Sequence, residues 1–403
     1  MKKITLVVVL IMIVAACAIK PTENRIEKIL AVEEDSVFVR EALSVVSDVE
    51  SAELKYRLTE RLLPLVVDGE EAIYQRVLNA TKESHNAMQY AMLANSIAWK
   101  NRENTVLEER LFSLIEEAAV QCRTGEFIDV LSLYLDKRGY STVDKIEAEP
   151  QYRAMILDTY AYYLMKMDRV EDALDVYEEI LAEYDDPEIL INVSRAQAKL
   201  NRYQHALENV LKALTQAPAH QDALSLIYEY GESLSYPASA IDTMVEKAVN
   251  DAHKAIISNL KEIRMDKPMP AFKLENLDGS VVRSSDLEGK ILVIDFFATW
   301  CGPCRRELPK VHQLYKSYKD DENVKFLIIS TDKDRSKVRP FIESNQYTFP
   351  VYYGGDVSEK FGIKGVPTMY VIGPDGKIRY EKIGYIEGED LEFTLMMYVN
   401  SLR

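Results

Sequence analysis

Over residues 27–263 apolar side chains recur at intervals of three and four, as at Ala42, Val45, Val46 and Val49, or Leu107, Leu111, Leu114 and Ile115. That spacing places them on one face of an α-helix. The stretch is dense in Ala, Leu, Glu and Lys, poor in Gly and Pro, and shows no extended β-alternation. It reads as an all-α region with short breaks, at Asp68-Gly69, Gly139 and residues 185–187. Two close prolines in MDKPMPAF (265–272) end it. A chain of 403 residues is too long for one small core, so two or three domains are expected.

Beyond Met265 the text alternates. Asp278-Gly279 is a hairpin turn signal, and ILVIDFFA (291–298) is a buried strand. A helix is expected over 303–318, a strand over 324–330 and a helix over 337–344. A strand over 368–372, the Pro374-Asp375-Gly376 turn, a strand near 377–383 and a helix from Glu389 follow. Strands alternating with helices imply an α/β sheet with at least one parallel crossover. The fold class is therefore multidomain: an all-α region, then an α/β domain.

Net charge is −16, which excludes nucleic acid as a partner because phosphate binding needs clustered Lys and Arg. From Met265 onward there are 20 Lys and Arg against 21 Asp and Glu, which leaves 29 against 44 for the first 264 residues. The excess acid belongs to the helical region, as a solvated face.

The chain opens MKKITLVVVLIMIVAACAIKPTEN. Lys2 and Lys3 precede an apolar run of 11 residues, Ile4 to Val14, short of the about 20 needed to span a bilayer. Small residues then lead to Cys17. This resembles the lipobox of bacterial lipoproteins, which implies removal of residues 1–16, lipidation of Cys17 and a short tether over 17–26. An ordinary cleaved signal, or a short anchor, that happens to contain Cys17 is the alternative. Ala18 after the cysteine favours the outer over the inner membrane. The expected location is the bacterial cell envelope, facing the periplasm, anchored to the bilayer by lipid.

Within the helical region, 27–264, MDRVEDALDVYEEILAEY (167–184) aligns with LNRYQHALENVLKALTQA (200–217) at a shift of 33. Arg169 and Arg202, Ala173 and Ala206, and Leu174 and Leu207 coincide, with Leu157 and Leu190 upstream. Together with Ala213 and Pro218 this resembles tetratricopeptide repeats. Such repeats stack and leave a concave surface for partners. Partner presentation and simple spacing from the membrane are both open. Cys122 reads as a buried unpaired thiol.

In FFATWCGPCRRELP (296–309) Cys301 and Cys304 stand where a strand ends and a helix begins. The helix dipole and free N–H groups there stabilise a thiolate at the first sulfur. Two intervening residues put the second sulfur within disulfide reach, so Cys301 can attack a partner disulfide and Cys304 resolve the mixed disulfide. A zinc site needs a second pair of ligands, which is missing. No cofactor is expected.

WCGPC after DFFAT, with MPAFKLENLDGSVVRSSDLEGKILVIDFFATWCGPCRRELP before and GIKGVPTMYVIGPDGKI after, resembles the thioredoxin superfamily in its TlpA/ResA-like branch of membrane-tethered thiol–disulfide oxidoreductases. The resemblance covers 265–403. It implies a thioredoxin-like domain with an extra helix and strand at about 337–353. Val366-Pro367 matches the family's cis-proline, whose backbone meets the bound substrate. Asp295 takes the buried carboxylate position of thioredoxins, where it could accept the proton of Cys304. Glu307 matches the active-site glutamate of the branch, or is a solvated surface residue. Many members of the branch have a neutral residue at the first position, so which carboxylate governs the buried thiol stays open. Pro309 matches the proline that kinks the active-site helix, and Trp300 shapes docking. Ala298 and Ile294 stand where peroxiredoxins have Thr and Pro.

Gly302-Pro303 resembles the dipeptide of reducing thioredoxins, so the expected activity is protein-disulfide reduction. Its partners would be disulfide-bearing envelope proteins and a membrane thiol donor of the DsbD/CcdA type. The rival reading is an interaction scaffold whose helical arm works and whose redox domain is accessory.

Overall fold

The computed structural model describes residues 23–138 and 140–403. The expected leader, Cys17, the tether as far as residue 22 and the expected break at Gly139 lie outside the described residues, whereas residues 23–26, expected as the end of the tether, begin the first described helix. By compactness the chain divides into two units, up to Asp185 and from Asp186 onward.

The described residues of the first unit form helices joined by short connections. Its helices are α1 (Glu23–Leu30), α2 (Asp35–Leu43), α3 (Ala52–Val66), α4 (Glu71–Ser84), α5 (Ala87–Lys100), α6 (Glu108–Gln121), α7 (Gly125–Lys137), α8 (Thr142–Lys166) and α9 (Val170–Leu181). Side chains that accept from the first orphan N–H groups set several starts. Ser51 accepts from Leu54 N–H, Thr124 from Phe127 N–H, and Asn86 with Gln89 forms a capping box. The apolar faces close on one another, with Phe38, Leu58, Leu111, Phe127 and Tyr163 buried. Cys122 is buried and free, and burial raises its thiol to about 12.

The second unit begins with α10 (Pro187–Lys199), α11 (Tyr203–Gln216), α12 (Gln221–Ser233) and α13 (Ala238–Asn259). Asp186 caps α10 with Pro187 at its first position. The 33-residue period has a backbone counterpart. Asp168, Asn201 and Ser235, spaced 33 and 34 residues apart, all have φ near +60°. After each, an N–H reaches back five residues: Arg169 to Leu164, Arg202 to Gln197, Tyr236 to Gly231. That is the same helix stop used three times. Ala173, Ala206 and Ala213 are buried.

The rest of this unit is one eight-stranded sheet in the order β1-β8-β7-β4-β5-β6-β2-β3. The strands are β1 (Lys267–Pro268), β2 (Lys273–Asn276), β3 (Val281–Arg283), β4 (Ile291–Phe297), β5 (Val324–Ser330), β6 (Val351–Tyr353), β7 (Thr368–Ile372) and β8 (Lys377–Ile383). β4, β5 and β6 run parallel; the other pairings are antiparallel. The parallel crossovers are α14 (Gly302–Tyr318) and α15 (Val338–Ser344); α16 (Val357–Phe361) and α17 (Leu391–Asn400) follow. The expected extra helix and strand are α15 and β6. Both faces of β4 are covered, so it is apolar almost without a break. Val293 and Phe297 face one core with α14 and α17, and Ile294 and Phe296 face the other with Phe361. Asp295 is the exception.

The loop after β8 is held by the helices of its own unit. Ala219 N–H donates to Gly388 O at 2.8 Å. His253 Nε2 lies 3.0 Å from Asp390 Oδ2, and its ring stacks on Phe393 at 3.8 Å.

Candidate functional site

Cys301 is the N-cap of α14, and its Sγ accepts from the Cys304 N–H at 3.1 Å. A strand that ends buried, followed by Gly302-Pro303 in the first turn, delivers this geometry, since proline is pre-shaped for a helix start. The two sulfurs form a disulfide with Cα atoms 5.3 Å apart. Cys304 is fully buried, while Gly302, Pro303 and Trp300 are exposed, the indole to 73%. The Val366-Pro367 peptide is cis, and Val366 O lies 3.5 Å from Cys301 Sγ. Cys301 is 5% exposed, with the Val366 carbonyl beside its sulfur and the exposed Trp300 next to it in the chain.

Two acids are buried in the same domain, Asp295 on the face of β4 that α14 covers and Glu307 one turn past Cys304 on α14, each only 1% exposed. Neither oxygen of Glu307 accepts a hydrogen bond among the described residues, nor does Asp295 Oδ1. Desolvation pushes Asp295 up to about 7, against the pull of Lys382. Desolvation, with Asp295 as a like charge, pushes Glu307 up to about 8, again against Lys382. Acids that hold protons near neutrality can exchange them with a buried thiol. Glu307 is a core residue on the sulfur side of the helix, not part of a solvated face.

Three residues of this site escape a reading of motifs. Asp332, past the end of β5, accepts from Thr299 N–H at 2.9 Å, Thr299 Oγ1 at 2.6 Å and Ser330 Oγ at 2.8 Å. It ties down the residue two before Cys301. Lys382 on β8 donates to Gly384 O at 2.6 Å. Its Nζ lies 2.9 Å from Glu389 Oε1 and 3.7 Å from Glu307 Oε2. The local signal for Asp332 is a Ser-Thr-Asp run closing a strand parallel to β4. For Lys382 and Glu389 no local signal exists. No cluster of acids, histidines and cysteines suited to a metal occurs among the described residues. No described helix is long and apolar enough to cross a membrane.

Residues 265–381 match the AhpC/TSA family. Thiol-disulfide oxidoreductase ResA of Oceanobacillus iheyensis is 39% identical over 134 residues, 31% of this chain and 69% of that protein. The protein of the same name from Bacillus thuringiensis subsp. konkukian is 31% identical over 146 residues, 35% of this chain and 82% of its own. Among solved structures, the thioredoxin domain of a thiol-disulfide oxidoreductase from Bacteroides vulgatus is 28% identical. It aligns with 34% of this chain and 97% of that one, with a TM-score of 0.30.

Proposed function

Through its C-terminal domain the chain belongs to the ResA family of thiol-disulfide oxidoreductases, and on that premise we propose that it reduces disulfides of cell-envelope proteins while tethered by a lipidated Cys17. The observation that carries the reading is Cys301 at the N-terminus of α14, beside Val366 O, with Glu307 buried one turn past Cys304 on the same helix and Asp295 buried on the strand that leads into it.

In the reduced enzyme, the Cys301 thiolate attacks one sulfur of a substrate disulfide. That S–S bond breaks, a mixed disulfide forms, and the first substrate sulfur leaves with a proton. Cys304, losing its proton to Asp295 or Glu307, attacks Cys301 Sγ and releases the second substrate sulfur, which takes up a proton. Two electrons have passed to the substrate and the Cys301–Cys304 disulfide is closed. A membrane dithiol donor of the DsbD/CcdA type reopens it. Trp300, Gly302, Pro303, Val366 and Pro367 form the surface against which the substrate segment lies.

Residues 265–403 carry the chemistry in this reading, and 27–264 form a tetratricopeptide-like arm that presents partners. The repeated helix stops at Asp168, Asn201 and Ser235 support the second assignment.

Cys304→Ser tests the whole. It should accumulate mixed disulfides through Cys301, resolved by dithiothreitol and missing from the Cys301→Ser, Cys304→Ser double variant. Failure to trap any partner, joined to a wild type without insulin-reductase activity, would leave the scaffold reading in its place. Removing 21–264 and comparing the trapped set distinguishes presentation from spacing.

A further inference from the structure

A second carboxylate in a buried site is costly, because each charge loses its water and repels the other. Asp295 and Glu307 are both buried, and Asp295 adds to the upward shift of Glu307. A nearby cation makes it easier to ionise one member of the pair, and the register of the sheet supplies one. Asp295 pairs with Met369 across β4–β7, and Met369 pairs with Lys382 across β7–β8. The three residues form one row on one face of the sheet, the face covered by α14. Neighbouring strands lie about 4.8 Å apart, so a lysine two strands away has the reach to enter the carboxyl pocket. Its Nζ stops 3.7 Å from Glu307 and is held there by Glu389 and the Gly384 carbonyl.

We propose that Lys382 is a positioning residue of the redox centre: anchored by Glu389, it holds the Asp295–Glu307 pair at about one shared proton, leaving one carboxylate free to accept the proton of Cys304. The inference rests on the oxidoreductase reading above. With no cation the pair would retain both protons and could accept none. With a cation bound only to the pair, both would ionise and none would be left to return a proton when the disulfide is reopened. Glu389 takes the intermediate setting by sharing the ammonium. Among the described residues four ionisable side chains face the pocket: Asp295 from β4, Glu307 from α14, Lys382 from β8 and Glu389 from the loop beyond it. The phenols of Tyr385 and Tyr398, which also feel Glu389, are raised by burial and stay neutral.

The two anchors make opposite predictions, which a structural role alone does not. Carboxyl-carbon NMR of the full oxidised chain, with D295N and E307Q used for assignment, reads the titration of the pair directly. K382M should move its midpoint to higher pH by about one unit, a tenfold tighter hold on the proton, and K382R should restore it. E389Q removes an anion that opposes ionisation of Glu307, so it should move the midpoint to lower pH. In the reduced protein the pH at which mixed disulfides resolve should shift the same way in each variant. If K382M does not fold, K382Q and E389Q still carry opposite signs. Equal midpoints in wild type, the Lys382 variant that folds and E389Q would overturn the proposal, as would shifts of one sign. The oxidised-state titration needs no substrate, so a wild type that reduces no disulfide would sink the oxidoreductase reading without altering these midpoints.

Discussion

Asp295 and Lys382, 87 residues apart in the chain, stand in one cross-strand row with Met369 between them. An acid in the middle of a strand that is otherwise apolar would ordinarily be a folding error. Here the row brings a cation over the same sheet face, and α14 closes above with Glu307. The arrangement has consequences for stability, for the shape of the redox loop and for the attachment of the helices.

The buried pair should make stability depend on pH. Folded Asp295 and Glu307 hold protons more tightly than the unfolded chain does, with values near 7 and 8. For acids raised in this way the stabilisation is complete below the unfolded value, about 4, and is lost as pH rises through the folded values. The urea midpoint of the oxidised protein should therefore fall between pH 5 and pH 9. Asn at position 295 has no proton to lose, so D295N should melt higher than wild type at pH 8, by a margin that narrows towards pH 5. A margin that widens towards acid would refute the sign.

Asp332 is expected to matter more than its place in a loop suggests. It accepts three hydrogen bonds, two of them from Thr299, and bonds to a charged group contribute about 1.5–3 kcal/mol. D332A should lower unfolding free energy by about 2 kcal/mol and slow insulin reduction by loosening the turn ahead of Cys301. D332N, which keeps one acceptor oxygen, should lose less than half as much. Chemical denaturation and single-turnover exchange separate the two effects.

Much of this was open to a reader of the residues alone, for reasons that differ by element. β5, β7 and β8 fall on the expected residues because each is an apolar or alternating run between turn formers. The Cys pair declares its chemistry through a spacing that needs no tertiary knowledge. β1, β2, β3 and α16 are short, and β1 and β3 have exposed positions, so only the Asp278-Gly279 turn hinted at the second and third. The burial of Glu307 could not be read from its three-residue offset to Cys304, which gives the helix face but not what covers it. Lys382 and Glu389 lie further out of reach. Their role depends on cross-strand register and on a loop closing back over the helix, neither of which has a local signature.

The repeat geometry predicts where the helical region resists change. Ala206 on α11 is fully buried at the position matching Ala173 on α9. A leucine there would have to displace a packed neighbour, and such overpacking costs about 1–3 kcal/mol. A206L should lower the thermal midpoint of the protein, whereas leucine at exposed Gln204 should leave its unfolding free energy within about 0.5 kcal/mol of wild type. Equal melting of the two variants would argue against close packing at the repeat position.

One of the contacts that attach α10–α13 to the sheet turns on a glycine. Gly388 has φ of +75°, and a Cβ added there would stand 2.3 Å from His220 Cβ, 2.5 Å from its Cα and 2.7 Å from its N. Two of those atoms are backbone, so trimming the histidine side chain cannot make room. His220 cannot swing aside easily, because its Nδ1 accepts from Ala223 N–H at 3.3 Å and its Nε2–H donates to Glu188 at 2.8 Å. G388A therefore combines an unfavourable backbone conformation, about 1–3 kcal/mol, with a clash that parts the loop from Ala219 N–H. The loop also carries Glu389, so the Lys382 anchor should loosen with it. Hydrogen exchange should speed up at Ala219 and over residues 384–390, while the core strands β4 and β5 keep their protection. Loss of protection in β4 and β5 as well would mean that the clash unfolds the domain and not merely its attachment.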